Sequence, residues 1–206
     1  MGDILRTNEL ENAIDYLEKA LYHFNNREDK YWFKWSMISL HGALYGFGVC
    51  AVKGTNTERV LEMKLGKAKV EQRKKEFAEY FKEQYGQELD ERILDSSVRY
   101  NLKSLLSIKD ILEYCQEEKY MMQRLDSKIL KITEQQRMAI NSMVLYRNDF
   151  AHFKPRGLSV ITEGADWIVK EVMDVIKFLA LESNNVNYFG EENRNKVMRI
   201  LEKFKF

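Results

Sequence analysis

Arg147, Asn148, Asp149 and His152 lie close together in the stretch Met143-Val-Leu-Tyr-Arg-Asn-Asp-Phe-Ala-His-Phe-Lys-Pro-Arg-Gly157. A guanidinium keeps its charge at every working pH and can grip two phosphate oxygens at once. An imidazole gives or accepts a proton near neutrality. Together they suit phosphate chemistry. Pro155 and Gly157 are helix breakers, so the pattern predicts an amphipathic helix that ends here and opens to solvent. Asn148 and His152 are four apart, which makes them neighbours on a helix, and the amide could fix which imidazole nitrogen is free. Arg147 and His152 are five apart, or about 140° around an ideal helix. They converge on one ligand only if the helix ends before His152, or if two chains pool their copies. Pro155 favours an early end, because it disfavours helix at Lys154. The plainer reading of the same spacing is a surface arginine and a histidine capping a helix.

The wider stretch, Arg147-Asn148-Asp149-Phe150-Ala151-His152-Phe153 followed by Lys154-Pro155-Arg156-Gly157, resembles the Arg-polar-x-x-x-His motif of the HEPN superfamily, here as Arg-x4-His. Two other regions carry the resemblance. Trp35-Ser-Met-Ile-Ser-Leu-His-Gly-Ala-Leu-Tyr-Gly-Phe47 looks like the second helix of a bacterial branch, and Ala165 to Leu179 looks like the helix after the motif. The likeness spans roughly residues 8–53 and 97–183. It implies an all-α, antiparallel helical bundle. Many members are metal-independent endoribonucleases of toxin or defence systems, in which a homodimer brings two motif copies to one cleft; others are non-catalytic modules that bind nucleotide, RNA or a protein.

Carried onto this chain, the resemblance makes Arg147 and His152 catalytic, with Asn148 orienting His152. Asp149 and His41 are candidates to support them, and Lys154 and Arg156 are candidates to touch RNA. An antitoxin or regulatory protein is a further expected partner. Lys154 stands where toxins controlled by tyrosine modification carry Tyr, which sets this chain apart from control by a partner nucleotidyltransferase.

Those side chains need helices to hold them, and composition agrees. With 206 residues the chain can bury a sizeable core as one domain, and one proline with ten glycines argues for all-α. The net charge of +1 supplies no global field for nucleic acid, so an RNA contact must be local. Cys50 and Cys115 fall in helical apolar patterns and read as buried free thiols of a cytoplasmic protein. The N-terminus lacks a signal-peptide pattern. The longest apolar run, Ile38 to Val52, contains His41 and three glycines and reads as too short for a membrane span. No metal or cofactor is expected: three scattered histidines and two cysteines form no zinc set, and no phosphate-cradling glycine loop or acidic cluster occurs.

In order, the spacing predicts a helix over 8–26, with His23 at its surface or end. A buried helix follows over 29–53, with Asp29 as N-cap. Gly42, Gly46 and Gly48 in that helix imply the close approach of another helix or a subunit, and His41 reads as a satisfied core histidine or as support for His152. Residues 54–92 form a charged insertion. Its basic residues interleaved with Phe77, Tyr80, Phe81 and Tyr85 could bind single-stranded RNA, although a solvated charged face is the plainer reading. Helices are expected over 97–118, from a capping box at Thr133-Glu-Gln-Gln136 to the motif, over 162–182, and at the C-terminus over 190–206.

Overall fold

The computed structural model describes residues 5–152, 157 and 159–204. Among the described residues the chain is all-α apart from one small two-stranded sheet. It divides into two compact units, one of Met1–Asn56 with Ile108–Phe206, the other of Thr57–Ser107.

The first unit is built around a helical hairpin. Helix α1 (Glu9–Asn25) starts where the Asn8 side chain accepts the Glu11 N–H at 2.9 Å, and Glu9 and Glu11 in its first turn suit the positive end of the helix dipole. Its apolar stripe of Leu10, Ala13, Ile14, Leu17, Ala20 and Phe24 is buried. Helix α2 (Trp32–Lys53) begins later than expected. Asp29 accepts the Tyr31 N–H at 2.8 Å and so closes the turn before the helix; it is not the cap of α2. Helix α2 is buried along most of its length by Phe33, Met37, Leu40, Leu44 and Phe47.

By length and composition alone, these 22 residues could cross a membrane, more than the shorter run Ile38 to Val52 suggested. Most of the apolar window is buried in the protein's own core, which accounts for its hydropathy. The three glycines are spent inside the chain. A Cβ at Gly42 would sit 2.6 Å from the Tyr16 ring, one at Gly46 would sit 2.7 Å from the Ala13 Cβ, and one at Gly48 would sit 2.7 Å from Ile111 Cγ2. The close approach expected from them is therefore that of α1 and of a later helix of the same chain.

The second unit opens with a 3-10 turn (Thr57–Val60) and strand β1 (Leu61–Met63), then α3 (Lys67–Tyr85) and α4 (Glu91–Leu102) as a helical pair. Strand β2 (Lys103–Leu105) returns antiparallel to β1, with Leu61 opposite Leu105 and Met63 opposite Lys103. This corrects the single helix expected over 97–118. Three extended residues separate α4 from α5 (Ile108–Tyr114), because the chain pairs with β1 before it resumes helix. The compact unit runs to Ser107, past the end expected at 92.

Back in the first unit, the short helix α6 (Glu118–Met121) leads to a polar connection. There Gln123 Nε2 donates to the carbonyls of Ala51, Val52 and Tyr120 at 2.8, 3.1 and 2.7 Å. Two of these are open carbonyls at the end of α2, satisfied by a side chain 71 and 72 positions away. Helix α7 (Glu134–Ala151) opens with the expected capping box, with Thr133 and Gln136 bonded reciprocally. Helix α8 (Ala165–Lys177) continues as a π-helical turn over Phe178–Glu182. Trp167, in the first turn of α8, is 38% exposed.

The next segment is anchored by Asn185, which is fully buried. It accepts from Ser127 Oγ at 2.7 Å and donates to the Met121 carbonyl at 2.7 Å. Helix α9 (Glu191–Glu202) and Phe204 dock on α1 through the Phe204–Phe24 ring pair at 6.0 Å and a Lys196–Glu18 ion pair. Cys50 and Cys115 are free and buried, and burial pushes the Cys50 thiol up to about 12.

The fit at Gly46 predicts that Gly46→Val destabilises the protein by roughly 2 kcal/mol or more, since Ala13 leaves no room for a side chain. Gly66→Ala, where nothing lies within 4 Å, should change stability by less than about 0.5 kcal/mol. Urea unfolding of both variants checks this.

Candidate functional site at the end of the motif helix

The motif occupies the last turn of α7, and the docking of that helix on α2 sets where the turn lies. Phe33 of α2 meets Tyr146 edge-on at 5.0 Å and Phe150 at 6.0 Å. Between those two rings stand Arg147, Asn148 and Asp149, all half-buried, with Asp149 already engaged. The helix stops at Ala151. His152 is its C-cap, with extended backbone (φ −103°, ψ 118°), and is exposed.

Asn148 serves Arg147. Its amide oxygen accepts from Arg147 Nη1 at 2.9 Å, which steadies the guanidinium although adjacent residues on a helix point apart. The expected contact with the His152 ring is replaced by a backbone one, as the His152 N–H donates to the Asn148 carbonyl at 3.1 Å. Asn148 therefore orients Arg147 with its side chain, and its carbonyl takes the last helical bond of α7.

His41, on α2, lies within electrostatic range of Arg147. It is half-buried, with its ring 6.1 Å from that of Tyr45. Burial lowers its pKa from 6.5 to about 4, and the nearby Arg147 charge adds to the fall. His41 is thus neutral at physiological pH, with one nitrogen donating and one accepting. His41, a candidate to support the motif pair, thus lies in the field of Arg147. Lys154 and Arg156, expected at the RNA, lie outside the described residues.

Elsewhere the structure answers two further expectations. In the second unit, Lys64, Arg73, Lys74, Lys82 and Lys103 are paired with Glu62, Glu76, Glu71 and Asp95, Glu88 and Glu58 respectively. Those cations are largely spent on carboxylates of their own unit, which is the behaviour of a solvated charged face. His23, expected at the surface or as a cap, is half-buried and stacks on Trp35 at 6.2 Å, and burial lowers its pKa. Trp35 itself, read from the sequence as part of an apolar helix, is 41% exposed with Lys34 over its ring. The alternation of Lys30, Tyr31, Lys34 and Trp35 was the signal for that exposed patch. Among the described residues, no group of three or more His, Cys, Asp or Glu is placed to hold a metal ion.

The Arg147–His41 proximity has a measurable consequence. In an NMR titration, the His41 ring should stay neutral down to about pH 4, and Arg147→Met should raise its midpoint towards the ordinary 6.5. Because the folded value is depressed, the stability it contributes is present above about pH 6.5 and is lost as the pH falls towards 4. His41→Gln should flatten that part of the stability–pH curve by on the order of 2 kcal/mol, discounted for the ring's partial exposure.

No family model, curated protein or solved structure matches this chain.

Proposed function

We propose that this protein is a metal-independent endoribonuclease of the HEPN type, a toxin or defence enzyme of the cytoplasm whose site is shared across a homodimer. One observation carries the reading. Helix α7 ends at Ala151, so His152 leaves the helix exposed and in extended backbone immediately beyond the turn that holds Arg147. The His152 N–H still closes the helical bond to the Asn148 carbonyl, so within one chain the pair keeps roughly the 140° offset, and convergence on one phosphate is assigned to two chains pooling their copies.

In this mechanism Arg147 binds the scissile phosphate and stabilises the charge that develops on it. Asn148 holds the guanidinium in place. His152 takes the proton of the ribose 2′-OH, whose oxygen bonds to phosphorus. The P–O5′ bond breaks, and the partner subunit's His152 protonates the leaving oxygen. A neutral His41 within electrostatic range of Arg147 adds no competing positive charge and leaves the guanidinium as the anion's main partner there. The nucleophile in this reading is the substrate's own 2′-OH, which DNA lacks. The α2 glycines are already filled within the chain, so the shared cleft is assigned to the α7 end. An antitoxin or regulatory partner would act by covering it.

A second reading is a non-catalytic helical module that binds nucleotide, RNA or a protein. The observation in its favour is that Arg147 is half-buried and already hydrogen-bonded to Asn148, as a purely structural arginine would be.

Incubation of the purified protein with total cellular RNA separates the two. The enzyme reading expects cleavage that survives a chelator, spares DNA, and leaves 2′,3′-cyclic phosphate and 5′-hydroxyl ends. The rate should be bell-shaped in pH, as for an imidazole acid and base working together. Arg147→Ala and His152→Ala should each lower it by a factor on the order of 10² or more, with folding retained. Sedimentation should show a dimer at micromolar concentration. Magnesium dependence, 5′-phosphate ends, or a well-folded wild type that cleaves nothing would reject the mechanism.

A further inference from the structure

The α1–α2 hairpin presents aromatic rings to solvent beside cations. Tyr22 is 59% exposed, Tyr31 53% and Trp35 41%. Lys34 Nζ lies 4.8 Å from the centre of the Trp35 ring, and Lys30 Nζ lies 5.4 Å from that of Tyr31. The His23 ring stacks on Trp35, and Tyr22 meets His23 edge-on at 5.1 Å. Rings from both helices therefore form one patch. Of the charges around it, Arg27 pairs with Asp166, while the Asp29 carboxylate accepts the Tyr31 N–H and, like Lys19, acts on His23. Lys30 and Lys34 remain as the cations beside the rings.

The patch continues along α2. Tyr31, Lys34, Trp35, Ile38, His41 and Tyr45 recur at three- and four-residue spacing, which puts them on one helix face. Tyr31 and Trp35 are exposed and Lys34, Ile38, His41 and Tyr45 are partly so, whereas Phe33, Met37, Leu40 and Leu44 on the other faces are buried. Trp35 and His41 are six residues apart, or about 9 Å along the axis. The Phe33–Tyr146 and Phe33–Phe150 ring contacts, at 5.0 and 6.0 Å, dock the last turn of α7 on this same helix, and His41 lies in the field of Arg147.

We infer that this face is a track for single-stranded RNA, with bases stacked on Tyr22, Tyr31 and Trp35, phosphates met by Lys30 and Lys34, and the strand directed along α2 to Arg147. Exposed rings interleaved with lysines match the stacking and phosphate contacts that single strands require, while a duplex hides its base faces. The choice of RNA over DNA, and the strand's destination, rest on the nuclease reading; the stacking surface does not.

The test uses the full chain carrying His152→Ala, so that binding is read without turnover. The probe is a fluorescein-labelled oligouridylate of about ten nucleotides, followed by anisotropy. Trp35→Ala and Tyr31→Ala should each weaken binding roughly tenfold, and Trp35→Phe should retain most of it. Lys34→Ala should reduce the salt dependence of the affinity by about one phosphate contact. In the cleaving protein, the same variants should raise KM with kcat little changed. The inference is overturned if the parent does not bind the probe, if a duplex RNA of equal length binds more tightly, or if all four variants bind as the parent does. Should Trp35→Ala fail to fold, the exposed Tyr31 and Lys34 variants decide. Ring-dependent binding without any cleavage would sink the nuclease reading and leave the track; cleavage with unaltered KM in the variants would do the reverse.

Discussion

The close approach of α1 and α2 is the constraint on which the rest of the first unit depends. Ala13 lies so near Gly46, and Tyr16 so near Gly42, that no side chain fits between the two helices. A glycine inside a helix is unfavourable by roughly 1 kcal/mol against alanine, so these positions are stable only because backbone contact replaces what they lose. With α1 on one side and Ile111 against Gly48, α2 becomes the buried axis of the bundle. Its apolar composition, sufficient in principle for a membrane, is explained by burial against its own chain.

What α2 does for the motif is indirect. Phe33 locks against Tyr146 and Phe150, and that contact fixes the rotation and height of the last turn of α7. Arg147 thereby comes within electrostatic range of His41, and the helix end falls at His152. Two consequences follow from one packing contact. The guanidinium sits in a partly desolvated place, where its charge reaches further than in water. The imidazole beyond the helix end sits in solvent, where a substrate can approach it.

The ends of the bundle are closed by side chains distant in sequence. Gln123 satisfies carbonyls at the end of α2, and Asn185 bonds Ser127 and the Met121 carbonyl from inside the core. Polar groups buried in this way are stable only when every hydrogen bond is made, so they specify one arrangement of the connections. The second unit uses a different device. Its cations and carboxylates pair among themselves across α3 and α4, leaving Val60, Val70, Val98 and Leu106 as its fully buried apolar side chains among the described residues.

The sequence by itself determined the helical class, the capping box at Thr133, the buried thiols and the end of a helix near His152. All of these are local: periodicity, caps and breakers act within a few residues, and composition sets the class. Tertiary structure decided what depends on residues far apart in the chain. The strand at Lys103–Leu105 exists because Leu61–Met63 is there to pair with it, and helix propensity over 97–118 gives way to that ladder. Asn148 turns to Arg147, and the four-residue spacing to His152 is satisfied through the backbone once the helix ends. The depressed pKa of His41 arises from burial and from a charge 106 positions further along the chain, at Arg147. The exposure of Trp35 was decided in the same way: a single helix shows which residues share a face, but only its packed neighbours settle which face is left to water.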